Sequence, residues 1–237
     1  MLRSVLVSLA ATAATVTGLA LDPRATTPYD STWHPSTYTV AQVQSLLSQK
    51  LTCEGTHTPF AGAANIEEGI TIDLKNLNSV IVSADRTTVN IGPANRWQNV
   101  YSQLDAQGLS TSGGRVATVG AGGLITGGGI SFFSPRYGFV CDNVLSFEVV
   151  LASGQIVSAN ATSNPDLWRA LRGGSNNFGI VTNFKMRAFA QGEFWGGYIG
   201  LTVDSLQTQL QAFEDFTGSP NYDPYASLIY SLVLDPA

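Results

Sequence analysis

Ser112 to Ser131 reads SGGRVATVGAGGLITGGGIS and holds eight of the 24 glycines of this 237-residue chain. A run so poor in Cβ atoms lets backbone N–H groups press against a flat, charged ligand, because glycine tolerates both positive φ and close approach. A flexible linker is the other reading of such a composition. Val116, Val119, Leu124 and Ile125 oppose it, since linkers are not regularly studded with aliphatic side chains. The run is read as a ligand-binding loop between an amphipathic helix and a strand.

Over the whole chain, 44% hydrophobic and 12% charged positions are enough to bury a core as one large domain or parts of two. A formal charge of −5, with no Lys/Arg cluster interleaved with aromatics, argues against nucleic acid as a partner. Residues 1–20 have the basic start, apolar middle and small-residue exit of a secretory signal, which predicts a secreted chain or one resident in a secretory compartment. No later segment reaches the roughly twenty apolar residues of a membrane span, so no membrane partner is expected. Cys53 and Cys141 are the only two cysteines and permit one disulfide at most. Asn160-Ala161-Thr162 is a glycosylation sequon. No metal site is read.

Residues 21–34 form an extended leader, followed by a short helical pattern over 40–47. Short strands are predicted at 70–74, 79–83 and 88–92. Trp97, Val100, Tyr101 and Leu104 recur at helical spacing, with Gly108 placed for the C-terminal cap. Beyond the glycine loop, strands at 147–151 and 155–158 flank the Ser153-Gly154 turn. Pro165 opens a helix that has Asn164 as its N-cap and Gly173 beyond its end. GGSNNFG at 173–179 is a second glycine and asparagine loop, leading into a β-like run over 180–189. A further strand, an amphipathic helix through Leu206, Leu210, Phe213 and Phe216, and a last strand over 226–234 complete the pattern.

Three segments, GTHTPFAGAANI at 55–66, RVATVGAGGLITGGGISFFSPRYGFVCDNV at 115–144 and LRGGSNNFGIVTNF at 171–184, occur in this order. With them the chain resembles the FAD-linked oxidases of the berberine bridge enzyme type, within the vanillyl-alcohol oxidase-like flavoproteins, in the style of secreted fungal members. The resemblance implies an α+β fold: a PCMH-type FAD-binding domain at 35–192, incomplete in its N-terminal part, then the truncated start of an antiparallel-sheet substrate domain at 193–237. It implies FAD as cofactor, covalently joined through His57. Gly55 and Thr56 precede that histidine, Thr56 standing where the family has glycine. Gly114, Thr118, Gly120, Gly123, Gly128 and Ser131 are implied along the flavin and its diphosphate, and Asn177, Gly179, Ile180 and Val181 at the ring edge.

An imidazole nitrogen in a loop with small neighbours is chemically suited to covalent attachment. The family's second, cysteine attachment aligns with Val116, which has no nucleophile, so His57 stands alone; Cys141 is left out of the chemistry. Tyr137 and Asp142 are read equally as site residues or as packing and turn residues. The implied reaction is oxidation of a small organic molecule by hydride transfer to flavin with dioxygen as acceptor. The substrate is expected to be a secondary-metabolite intermediate, with a carbohydrate hydroxyl as the alternative. A catalytically silent secreted remnant or accessory binding protein is the rival reading. No catalytic base is identified.

Overall fold

The computed structural model describes the backbone of residues 4–7 and, with side chains, residues 72–218 and 222–232. Apart from that first backbone segment, the expected signal, the leader, the helical pattern of 40–47, Cys53, Gly55, Thr56 and His57 lie outside the described residues.

In chain order the strands are β1 (Ser4–Val7), β2 (Val80–Val82), β3 (Thr88–Ile91), β4 (Leu109–Ser110), β5 (Val144–Val150), β6 (Ile156–Asn160), β7 (Ile180–Arg187), β8 (Phe189–Ala190) and β9 (Ile199–Thr202). The helices are α1 (Trp97–Asp105), α2 (Ala121–Thr126), α3 (Ser134–Tyr137), α4 (Pro165–Leu171) and α5 (Leu206–Thr217). The central sheet is antiparallel throughout, in the order β2-β3-β7-β5-β6. Two short pairs, β4 with β8 and β1 with β9, lie outside it.

Strand alternation sorts the sheet into two faces. Val89 and Ile91 of β3, Phe147 and Val149 of β5, and Phe184 and Met186 of β7 are buried, whereas Glu148 and Lys185 between them are exposed. Phe147 and Phe184 are register partners and meet edge to face at 5.7 Å. Trp97, Val100 and Leu104 project from one face of α1 into the same core. The other face of the sheet carries Asn90, Ser146, Glu148, Asn183 and Lys185 and is open among the described residues. The arrangement is α+β, one sheet face covered and one polar.

Four local expectations change. Residues 72–74 make no strand: Leu74 is buried at a turn in which the Leu77 N–H donates to its carbonyl at 2.7 Å. Residues 226–232 run without a ladder partner among the described residues. Asn164 holds the N-cap position of α4 at φ +48°, but its amide donates to the Ser158 carbonyl at 2.9 Å instead of capping the helix. Within the glycine-rich run, expected as loop, Ala121–Thr126 is helical. Two glycines argue against helix by propensity; burial of Ala121 and Ile125 and tertiary capture of the first N–H groups override it.

Candidate functional site

The glycine-rich run is anchored at both ends and bare in between. On entry, Thr111, Ser112, Gly113 and Gly114 are buried, and the Thr111 hydroxyl donates to the Arg187 carbonyl at 2.7 Å. A Cβ on Gly113 or Gly114 would fall 2.1 or 2.5 Å from the Trp97 indole, so this glycine pair is demanded by packing. Tyr101 donates its hydroxyl to the Gly114 carbonyl at 3.0 Å, and burial pushes its phenol well above the usual range. Ser131, at the far end, is also buried. Its Oγ accepts from the Gly113 N–H at 3.2 Å and the Phe133 N–H at 3.3 Å, tying the exit of the run to its entry.

Between these anchors the chain turns outward over Ala117 and Thr118, both exposed, and comes back at Val119 and Gly120. Trp97 N–H donates to the Val119 carbonyl at 3.1 Å, and Gln98 N–H to Ala117 at 3.0 Å. The first two N–H groups of α2 are consumed by protein: Ala121 donates to Asn95 at 2.7 Å and Gly122 to Pro93 at 3.3 Å. Asn95 is itself buried and held by Nδ2 bonds to the Ser79 and Gly92 carbonyls, each 3.0 Å. It positions the loop, and only its place beside Pro93 and Trp97 signalled it in the sequence.

At the C-terminal end of α2 the two glycine-rich segments meet. The Thr126 carbonyl accepts from both Gly173 N–H and Ser175 N–H, each at 3.0 Å. The Gly128 and Gly129 carbonyls accept from Cys141 and Val140, both at 2.9 Å. Arg172 closes this junction, donating from Nε to the Cys141 carbonyl at 2.9 Å and from Nη2 to Asp142 at 2.6 Å while stacking on Trp168. Asp142 also accepts from the Phe139 N–H, which makes it a turn residue, and Tyr137 stacks on Phe189 at 4.5 Å. Burial pushes the Cys141 thiol up, leaving it a poor nucleophile.

A Cβ added at Gly123, Gly128 or Gly173 would find no atom within 4 Å. Among the described residues no neighbour requires glycine at these three positions, although φ is +99° at Gly128 and +105° at Gly173. Bare backbone of this kind fits a flat cofactor with a diphosphate, held by main-chain groups instead of a cluster of cations. Gly173 was read in the sequence as a helix terminator and as the start of a second glycine and asparagine loop, but was not placed at the cofactor. Of the remaining expected site residues, Asn177 is exposed and donates to the Gly174 carbonyl at 2.7 Å. Gly179 is buried, and a Cβ there would lie 2.7 Å from Val149 and from the Val150 carbonyl. Ile180 and Val181 begin β7, opposite Val150 and Val149.

A family model described as FAD binding domain matches residues 39–160. The chain is 50% identical to the FAD-dependent monooxygenase CTB5 of Cercospora beticola, over 76% of this chain and 34% of that protein. It is 43% identical to the FAD-dependent monooxygenase drtC of Aspergillus calidoustus, over 74% of this chain and 34% of that one. Its matched part thus spans about a third of the length of these relatives. Among solved structures, 6-hydroxy-D-nicotine oxidase from Arthrobacter nicotinovorans superposes with a TM-score of 0.57 at 27% identity, covering 64% of this chain and 34% of that one.

Proposed function

Because the chain belongs to the FAD binding domain family, we propose that it carries the flavin site of an oxidoreductase acting on a small organic molecule, an intermediate of secondary metabolism, with dioxygen as electron acceptor. One observation carries the reading. The two glycine-rich segments are joined at the Thr126 carbonyl, with Gly123, Gly128 and Gly173 bare around the join. The fungal relatives named FAD-dependent monooxygenases support the oxidoreductase class.

In this reading Gly123, Gly128, Gly173 and the exposed Thr118 hold the cofactor through main-chain and hydroxyl groups. Gly114 and Ser131 act one layer below, fixing the path of the loop. His57, after Gly55 and Thr56, provides the covalent anchor. When bound, FAD supplies two-electron redox chemistry that no side chain of the protein can perform. The signal at residues 1–20 directs the chain into the secretory pathway.

The absorbance spectrum of the purified chain before and after acid precipitation tests the proposal. Yellow colour retained in the pellet is expected, and His57→Ala should shift it to the supernatant. A colourless chain from flavin-replete cells defeats the reading.

A further inference from the structure

Asn160 is the last residue of β6, the edge strand of the central sheet among the described residues, and pairs with Ser146 of β5. Its side-chain amide is held at one end only. Oδ1 accepts from Thr162 N–H at 3.0 Å, Thr162 Oγ1 at 3.0 Å and Ser163 N–H at 2.8 Å. Nδ2 makes one long contact, 3.3 Å to Ser158 Oγ. The oxygen is clamped and the nitrogen is presented.

That nitrogen points along a particular surface. Ser158 Oγ lies 3.1 Å from Ser146 Oγ, and alternation puts Ile156, Ser158 and Asn160 on the same face. It is the polar face, open among the described residues, where Asn90, Ser146, Glu148, Asn183 and Lys185 border a groove of about 250 Å³. Asn183 and Asn90 are bonded to each other at 3.0 Å. Ile156, 65% exposed, stands at the edge. An uncovered edge strand with an exposed aliphatic side chain is a template for pairing with another chain.

We propose that Asn160 carries an N-linked glycan whose first sugars lie over this groove and shield the β6 edge. The inference rests on the secretory reading of residues 1–20 but is independent of the flavin. In the transfer step the Nδ2–C1 bond to the sugar forms and the C1–O bond to a lipid pyrophosphate donor breaks; the pyrophosphate departs with that electron pair, and the proton given up by Nδ2 balances its charge. The remaining N–H still bonds Ser158 Oγ. Sugar hydroxyls then find donors in Asn183 and Lys185 and an acceptor in Glu148.

The full chain is expressed in a eukaryotic secretory host, and peptides are treated with peptide N-glycosidase in heavy-oxygen water. The peptide spanning residue 160 should carry labelled aspartate, and Thr162→Ala should abolish the label. A seated glycan is released several-fold more slowly from folded than from denatured protein. A parallel chain is expressed behind a proven secretory signal. Equal release rates overturn the seating, an Asn160 unmodified in both chains overturns the site, and one modified only behind the proven signal overturns the secretory reading of residues 1–20. The flavin spectrum of the same samples reports separately on the cofactor.

Discussion

Gly114 and Gly123 look alike in the sequence and have opposite reasons to be glycine. At Gly114 a methyl group would strike the Trp97 indole at 2.5 Å. Gly114→Ala should therefore cost about 1–3 kcal/mol in urea unfolding of the flavin-free chain, the usual penalty of overpacking. At Gly123, exposed on α2 with nothing within 4 Å, alanine relieves the backbone entropy of a helical glycine. Gly123→Ala should stabilise the flavin-free chain by about 0.5–1 kcal/mol while lowering its flavin content. If flavin loading stays normal in this variant, Gly123 does not face the cofactor. Tyr101 gives a pH signature. Burial raises its folded pKa, so the stability it contributes is fully present below the ordinary tyrosine value of about 10 and is lost as pH rises beyond that. Tyr101→Phe should cost about 1 kcal/mol at neutral pH through the lost bond to Gly114 and should flatten the alkaline decline in thermal stability.

At the scale of elements, the strands of the central sheet were legible because alternation in β3, β5 and β7 reflects a sheet with one covered face. Residues 72–74 and 226–232 share that composition but lack a ladder, and a two-residue period says nothing about whether a neighbour is present. Helix α2 was illegible for the reverse reason. AGGLIT is a weak helix by propensity, and the bonds from Ala121 to Asn95 and from Gly122 to Pro93 that hold it come from a separate segment. The candidate site was legible as two glycine-rich segments; their junction was not, because it is made by a carbonyl, that of Thr126, which every residue type possesses equally. Arg172 is the side chain that closes this junction. Arg172→Ala removes the bonds to Cys141 and Asp142 and the stacking on Trp168. Partial exposure of the pair screens its charge, so a loss of about 1–2 kcal/mol in thermal unfolding is expected, with Arg172→Lys recovering only part because the planar fork is lost.

For the whole molecule, cofactor binding and folding are one equilibrium. A ligand that engages both glycine-rich segments holds the α2 end and the α4 end together, and any ligand bound only by the folded state stabilises it by mass action, about 2.7 kcal/mol at a hundredfold excess over Kd. For a chain of this size each kcal/mol moves Tm by roughly 2–4 °C, so saturating FAD should raise it by about 5–10 °C. The proposed covalent attachment through His57 would change how that stabilisation depends on concentration. Once the flavin is bonded it cannot be diluted away, and the Tm of the loaded wild-type chain should ignore added FAD. His57→Ala converts the same contacts into a reversible site, whose Tm should climb with the logarithm of free FAD from a lower starting value. The comparison separates anchoring from recognition, because the glycine backbone is untouched in the variant. A His57→Ala chain that folds, yet shows no rise in Tm and no bound flavin at high FAD, would mean that the bare glycines contribute too little affinity to hold the cofactor without the histidine bond.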